Sequence, residues 1–251
     1  MARRKLTDVD HPDETLNDDF WLQFGNDPQP PMRLKILYVT FGEVEKSGPA
    51  SFNVASVCDR LGITYPMVNH YFGGRDGLLA EGAMMRYERY IASLWDAVEK
   101  APRNPESRFR AWSLAQVRAT TDLGGWGPIL NYPLAAREVT SEMNLKFQGV
   151  LNRLFELNLA RLGVLIQDLR SGEVSDIAFT PESYPRLTML RDPVLRVLAP
   201  STAWGMFGLA VWFGGQHAPA RNIPEVEDDL DELIEYHLAL TIDTIRNWKE
   251  N

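Results

Sequence analysis

The chain has 251 residues, of which 45% are hydrophobic and 24% are charged. These fractions are ordinary for a globular protein, and they exclude a wholly disordered chain, a collagen-like repeat and a disulfide scaffold. The formal net charge of −8 excludes an overall polyanion binder, so any nucleic-acid surface must be local. The one cysteine, Cys58, cannot form an internal disulfide, which favours a reducing and therefore cytoplasmic location.

Residues 1–30 are expected to form a flexible N-terminal arm. They hold three basic and seven acidic side chains and three prolines, a composition that does not favour a packed core. No apolar segment follows the basic residues Arg3 to Lys5, so no signal peptide is predicted. This basic cluster is interpreted as solubilising rather than DNA-binding. The apolar stretch Phe20 to Phe24 is expected to dock on the rest of the protein.

From Met32 onward the spacing of apolar residues is helical, and no segment shows the alternation of a half-buried strand. The predicted fold class is therefore all-α. The first helix is expected to end at Gly48-Pro49. Val54 to Leu61 is predicted to form a short second helix, with Asn53 as its N-cap and Gly62 as its C-cap.

A third helix is predicted from Tyr65 to Phe72, with Thr64 as its N-cap and Gly73-Gly74 at its end. The second and third helices are separated by the three-residue turn Gly62-Ile63-Thr64, which predicts a helix-turn-helix. On spacing alone, any small helical hairpin remains the alternative.

Residues 33–79 resemble the N-terminal DNA-binding segment of TetR-type transcriptional regulators. Two stretches carry the resemblance, Val57-Cys58-Asp59-Arg60-Leu61-Gly62-Ile63-Thr64 and Pro66-Met67-Val68-Asn69-His70-Tyr71-Phe72-Gly73-Gly74-Arg75-Asp76-Gly77-Leu78-Leu79. The sequence departs from the family's pattern at Asn69, where Tyr is commoner, at Arg75, where Lys is usual, and in its long arm.

The resemblance implies a helix-turn-helix DNA-binding domain at residues 31–79, followed by a larger helical effector-binding and dimerisation domain at residues 80–251. The function it implies is that of a transcriptional regulator, with a repressor favoured. Such a regulator binds a palindromic double-stranded DNA operator as a dimer and is released by a small effector. The alternative is a helical small-molecule-binding or scaffold protein without operator binding.

The expected DNA-binding residues lie on the third helix and at two helix starts. If Val68 and Phe72 pack inward, the other side chains of the third helix face outward, where they can reach base edges and phosphates. Helix N-termini also favour phosphate, and Arg75 adds charge there. The expected set is Asn53, Thr64, Tyr65, Met67, Asn69, His70, Tyr71 and Arg75.

The charge of this segment is low for a DNA-binding domain. Between Pro31 and Ala80 there are five basic and four acidic residues, a net charge of 5 − 4 = +1. Few cations release few counterions, so we expect a shallow dependence of DNA affinity on salt.

The rest of the chain is predicted to be helical at about residues 76–99, 106–121, 128–140, 143–170, 193–214 and 225–249. Gly124 to Pro128 is predicted to be a loop, residues 171–191 an irregular segment able to form a lid, and Asp192 a helix cap. The uncharged run Val197 to Gln216 contains Pro200 and four glycines, so a buried helix is favoured over a membrane span.

An effector pocket is expected among these helices because two amides, Gln116 and Asn158, interrupt otherwise apolar stripes. A hydrogen bond to a neighbouring helix is the favoured role of each amide, and contact with a ligand is the alternative. The expected ligand is apolar or aromatic, and an anion is less expected. The expected effector-binding residues are Trp95, Phe109, Trp112, Gln116, Trp126, Phe155, Asn158 and Trp204.

Helix 193–214 is apolar on nearly every side and therefore must be covered on every side. The resemblance implies that the last two helices, 193–214 and 225–249, form a homodimer interface. No metal, cofactor or catalytic motif was found among the four histidines, the single cysteine and the glycines. An enzyme is therefore not predicted, and neither is a membrane, metal or cofactor partner.

Overall fold

A computed structural model describes residues 31–122, 137–175, 192–213 and 230–249. Within these ranges every regular element is an α-helix, which confirms the predicted all-α fold class. The helices are α1 (Met32–Ser51), α2 (Val54–Leu61), α3 (Tyr65–Phe72), α4 (Arg75–Lys100), α5 (Pro105–Asp122), α6 (Arg137–Ser171), α7 (Pro193–Phe213) and α8 (Leu230–Asn247).

The described residues fall into two compact units. The first unit contains residues 31–86 and 137–146, and the second contains residues 87–122, 147–175, 192–213 and 230–249. Helices α4 and α6 each contribute residues to both units.

Glycines in the left-handed region set the ends of the short helices, as predicted. Gly48 leaves helical geometry inside α1 with φ 71°, Gly62 ends α2 with φ 63°, and Gly73 ends α3 with φ 79°. A side chain at a positive φ is strained, so these positions favour glycine. The result is two eight-residue helices with sharply defined ends.

Side-chain caps agree with the sequence at two of three predicted positions. Asn53 Oδ1 accepts a hydrogen bond from the Ala55 backbone N–H at 2.9 Å, and Asp192 Oδ1 accepts one from Val194 N–H at 2.8 Å. Thr64 is the N-cap residue of α3, as predicted, and has the extended backbone of a cap residue. Its hydroxyl makes no capping hydrogen bond, however, and Pro66 in the first turn removes one N–H that would need a partner.

The core of the first unit joins α1 to the helix-turn-helix and the start of α4. Burial of this continuous apolar set is the main source of stability for helices as short as α2 and α3, which would be marginal alone. Its fully or almost fully buried members include Ile36, Leu37, Val44, Val57, Leu61, Val68, Phe72, Leu78 and Leu79.

The core of the second unit draws on α4, α5, α6, α7 and α8. Trp112 and Phe109 are its largest fully buried side chains, and their rings lie 6.4 Å apart. The other members include Leu94, Trp95, Leu162, Leu165, Leu198, Met206, Ile234, Leu238 and Ile245.

The predicted break between helices 128–140 and 143–170 is wrong for the part that the structure describes. Helix α6 runs without interruption from Arg137 to Ser171, because no proline or glycine lies between residues 137 and 148 to stop it.

The predicted N-terminal arm, the loop at Gly124 to Pro128, and most of the predicted lid lie outside the described residues. None of the described helices is both long and apolar enough to cross a membrane.

Candidate nucleic-acid interface and effector site

Helix α3 is anchored on its inner face by two side chains. Val68 is 0% exposed and Phe72 is 2% exposed, so the prediction that these two residues pack inward is confirmed. They are four residues apart and therefore lie on one face of the helix. The remaining face of α3 is free to present side chains outward.

The exposed face of α3 carries the sequence-predicted residues together. Tyr65 is 51%, Met67 37% and Tyr71 38% exposed, which is high for such large side chains. The rings of His70 and Tyr71 meet edge to face, with 5.3 Å between their centroids. Amide, imidazole, phenol and thioether groups on one short helix can meet base edges, thymine methyl groups and phosphates. The exposed set is Thr64, Tyr65, Met67, Asn69, His70 and Tyr71.

The amide oxygen of Asn53 is already used within the protein. It accepts the N–H of Ala55 and so caps α2, while its amino group remains a possible donor. Asn53 is exposed, so this donor is available at the start of the helix.

Arg75 is placed differently from the expected phosphate contact. Its guanidinium donates from Nη2 to the Pro49 carbonyl at 2.6 Å, from Nε to the Phe52 carbonyl at 3.3 Å, and pairs through Nη1 with Asp76 at 3.0 Å. It also lies over the Phe52 ring, 5.9 Å from the centroid. These contacts hold the connection between α1 and α2, so the geometry favours a structural role for Arg75.

Other arginines of the first unit are also neutralised internally. Arg60 pairs with Glu43 at 2.8 Å, and Arg86 pairs with Glu45. Arg33 pairs with Glu81, a carboxylate that is only 8% exposed. Burial raises the pKa of Glu81, while Arg33 and Lys146 oppose that rise. These ion pairs leave little free positive charge beside α3, which agrees with the low net charge of the segment.

One residue beside the interface was missed by sequence reasoning. Lys146, in α6, donates from Nζ to the carbonyl of Phe72 at 2.8 Å, at the C-terminal end of α3. The two residues are 74 positions apart, so no local spacing could reveal the contact. The available signal was Gly77, a glycine within the first turn of α4, since such a glycine can mark a close approach by another group.

A cleft of about 590 Å³ opens beside the start of α4. It is lined by Tyr65, the turn from Gly73 to Gly77, Ser141 and Glu142. Asp76 and Glu142 contribute carboxylates to it, and these pair with Arg75 at 3.0 Å and with Lys146 at 3.2 Å.

Five of the predicted effector-binding residues are buried in the second unit. Trp95, Phe109 and Trp112 belong to its core, and Gln116 and Asn158 are only 4% and 8% exposed. Phe155 and Trp204 do not share this environment, because they are 54% and 67% exposed. Their placement in an interior pocket is therefore wrong. Trp126 lies outside the described residues.

Several buried polar atoms of the second unit have no hydrogen-bond partner among the residues that the structure describes. They include Gln116 Oε1, Asn158 Oδ1, Trp112 Nε1 and Ser113 Oγ. A buried polar atom left without a partner costs about 1–3 kcal/mol, so each of these groups favours an additional contact. Three of them, on Trp112, Ser113 and Gln116, lie within five consecutive residues of α5.

Helices α7 and α8 present large apolar side chains to solvent. Trp204 and Val197 on α7 are 67% and 45% exposed, and they are seven residues apart and so on one face. Leu233, Tyr236 and Leu240 form a second exposed stripe at positions i, i+3 and i+7 of α8, and they are 38%, 69% and 51% exposed. We call these five residues the exposed apolar face. Ile245, by contrast, is 1% exposed and belongs to the core.

In the described ranges, no group of three or more His, Cys, Asp or Glu side chains is placed to hold a metal ion.

Comparison with known proteins gives relatives that are transcriptional regulators. No family model matches the chain. It is 32% identical over 117 residues to the HTH-type transcriptional regulator BetI of Burkholderia cenocepacia strain HI2424, covering 42% of this chain and 58% of that protein. It is 34% identical over 134 residues to BetI of Paraburkholderia xenovorans strain LB400, covering 52% of this chain and 63% of that protein.

A crystal structure from Pseudomonas aeruginosa PAO1, provisionally described as a transcriptional regulator, is 17% identical. It aligns with a TM-score of 0.42 over 83% of this chain and 93% of that chain.

BetI is a TetR family member, so the curated relatives confirm the resemblance seen in the sequence. The matches span 58% and 63% of the length of these two relatives. The two relatives are named as regulators and not as enzymes, which agrees with the prediction that the chain is not an enzyme.

Proposed function

We propose that this protein is a DNA-binding transcriptional regulator that reads a palindromic operator as a homodimer and is released by a small, largely apolar effector. The observation that carries the proposal is the exposed face of α3, where six polar, aromatic or thioether side chains surround a helix anchored by Val68 and Phe72. The similarity to HTH-type regulators supports the DNA-binding part.

The proposed reading of DNA places α3 in the major groove. Asn69 and His70 supply donors and acceptors for base edges, Met67 offers an apolar contact for a thymine methyl, and Tyr65 and Tyr71 reach phosphates. In a two-fold dimer the half-sites lie about 34 Å apart, or a multiple of that distance. Selection of bound duplexes from a random pool at low salt should therefore enrich an inverted repeat. Failure to enrich any motif would refute operator binding.

The proposed regulatory role is repression. Once an operator has been selected, transcription in vitro from a promoter that overlaps it should fall as the protein is added. A rise in transcription would identify an activator instead.

The proposed effector site lies in the second unit, around the buried polar atoms of α5 and Asn158 of α6. Gln116 and Asn158 supply amide groups, Trp112 an N–H donor and Ser113 a hydroxyl, and all four side chains are buried. A site of this kind favours an uncharged aromatic ligand with one or two hydrogen-bonding groups. The ligand would act through its different affinities for the DNA-binding and DNA-free conformations.

The effector proposal is tested by screening phenols and aromatic amides for quenching of tryptophan fluorescence and for release of the operator. Gln116→Leu and Asn158→Leu should weaken the response to any compound that acts, while operator affinity is nearly retained. Two variants that respond as the wild type does would remove both amides from the site.

The proposed dimer uses α7 and α8. The five residues of the exposed apolar face leave a large apolar surface in water on one chain, and such surfaces mark interaction sites. A two-fold axis would pair this face with its copy.

A second candidate function is a helical ligand-binding protein without operator binding. The internal pairing of Arg33, Arg60 and Arg75 favours it, because few cations remain for phosphates. The random-pool selection separates the two candidates, since only a regulator enriches a motif.

A further inference from the structure

The C-terminal end of α3 is held by a side chain from a distant part of the sequence. Lys146 Nζ lies 2.8 Å from the carbonyl oxygen of Phe72 and 3.2 Å from Glu142 Oε2, one turn earlier in α6. Phe72 is the last residue of α3, so its carbonyl lies at the negative end of the helix dipole. A hydrogen bond from a cation to such a carbonyl is stronger than one between neutral groups.

The first turn of α4 is shaped to admit this contact. A Cβ atom added at Gly77 would lie 1.9 Å from the Phe72 carbonyl oxygen and 2.7 Å from Lys146 Nζ. Both distances are far below ordinary van der Waals contact, so any larger residue at position 77 would force the three groups apart. Gly77, Phe72 and Lys146 therefore form one tightly fitted junction.

The side chain of Phe72 is held as well as its backbone. Arg33 lies over the Phe72 ring, 5.5 Å from the centroid, and pairs with the buried carboxylate of Glu81. Helices α1, α4 and α6 thus all contribute a group to the junction around Phe72. Helix α3 has only eight residues, so its orientation depends on such contacts rather than on its own stability.

We propose that Lys146 is a positioning residue for DNA recognition, and that residues 137–146 of α6 are part of the DNA-reading unit. The Lys146 hydrogen bond fixes the C-terminal end of α3, so that Asn69 and His70 meet the bases at one orientation. This inference rests on the proposed function. The proposed role of Lys146 differs from a phosphate contact because its amino group donates a hydrogen bond to the protein's own backbone.

The test compares Lys146→Met with Lys46→Met in the full chain. Both variants lose one lysine charge from the first unit, and Lys46 is exposed with no hydrogen bond or ion pair seen among the described residues. Affinity for the selected operator and for a random-sequence duplex is measured across a range of salt. Lys146→Met should lower the ratio of operator to random affinity about tenfold, and Lys46→Met should leave the ratio unchanged.

Two results would overturn the proposal. If Lys146→Met lowers operator and random affinity equally and flattens the salt dependence, Lys146 is a phosphate contact. If the ratio stays at the wild-type value, the junction does not position α3.

Hydrogen exchange gives a readout that does not need an operator. The amide of Gly73 donates to the Asn69 carbonyl at the end of α3. Lys146→Met should speed exchange of that amide, whereas Lys46→Met should not. Faster exchange without any selected motif would refute the proposed function while supporting the junction, and unchanged exchange would refute the junction.

A second pair of variants covers the case in which Lys146→Met does not fold. Lys146→Gln keeps a neutral donor and should retain part of the operator-to-random ratio. Gly77→Ala should lower that ratio in the same way as Lys146→Met, because the added methyl group separates Phe72 from Lys146. Normal ratios in both variants would contradict the proposal.

Discussion

At the scale of single residues, the first unit uses its arginines to build the scaffold that carries α3. Arg75 shows this most clearly, because its guanidinium bridges two backbone carbonyls of the segment before α2. A planar guanidinium can hold two acceptors at once, and a lysine ammonium cannot reproduce that geometry. Arg75 therefore fixes the entry to the helix-turn-helix.

We expect Arg75→Lys to behave almost as Arg75→Ala does. Both should lower the melting temperature and the protection of residues 49–53 from hydrogen exchange, because neither restores the two carbonyl contacts. The slope of log affinity against log salt for DNA should stay near the wild-type value. A rescue of DNA affinity by Arg75→Lys, with a flatter slope in Arg75→Ala alone, would instead establish a phosphate contact.

Asn69 and His70 are the residues from which we expect sequence discrimination. Replacing either by Ala should weaken binding to the selected operator by about 1–3 kcal/mol and relax the preference at one base position. Binding to random DNA should change less. Asn152→Ala, at an exposed site of α6 in the second unit, serves as the control and should leave both affinities unchanged.

At the scale of helices, α8 has two apolar stripes on different faces, and each stripe has its own role. Ile234, Leu238, Ile242 and Ile245 face the core, while Leu233, Tyr236 and Leu240 face solvent. One helix thus presents an interior stripe and an exposed apolar stripe. The interior stripe stabilises the protomer, and the exposed stripe is the surface proposed for its copy.

A charged side chain on the exposed stripe of α8 should dissociate the dimer without unfolding the chain. We expect Leu240→Glu to sediment as a monomer at micromolar concentration, with helical content unchanged and operator binding lost. Ala239→Glu is the matched control, because Ala239 is also exposed but lies about 100° around the helix from Leu240. A wild-type protein that sediments as a stable monomer would contradict the dimer.

The sequence was sufficient to predict the helices whose ends are set by local chemistry. Residue type and spacing predicted the glycines that take a positive φ and the caps at Asn53 and Asp192. They also predicted that Val68 and Phe72 pack inward. What could not be predicted depends on distant partners. The bonds of Arg75 to Pro49 and of Lys146 to Phe72 join residues 26 and 74 positions apart.

Two residues that were predicted to line an interior effector pocket, Phe155 and Trp204, lie on exposed faces of their helices. Phe155 and Asn158 are three residues apart in α6 and were both predicted to line the pocket, yet Phe155 is exposed and Asn158 is buried. Trp204 was also predicted to line the pocket, but it lies on the exposed apolar face. Hydrophobic content alone does not distinguish a core contact from an interface contact.

At the scale of the whole molecule, stability should depend on pH through His237. This ring is partly buried on α8 and approaches Gly205 of α7, with Nε2 3.5 Å from the position of an added Cβ. Burial lowers the pKa of His237 below its usual value of 6.5. The folded state therefore holds this proton less tightly than the unfolded chain does.

The direction in which stability changes with pH follows from that difference. The contribution of neutral His237 is fully present above pH 6.5 and is lost as the pH falls through the lowered pKa. We expect His237→Gln to flatten the loss of stability on acidification, measured by urea unfolding on both sides of that range. An equally steep loss in the variant would assign the acid sensitivity to other groups.

The chain also contains its own chemical reporter. Cys58 is the sole cysteine, it is 7% exposed inside α2, and burial raises the pKa of its thiol. A thiol reagent can reach its sulfur only when the helix-turn-helix opens. The rate of alkylation therefore measures how often the helix-turn-helix opens. No engineered label is required. A bound operator should slow the alkylation of Cys58, and an effector that releases the operator should restore the rate of the free protein. Alkylation of this one residue would thus follow the proposed regulatory cycle.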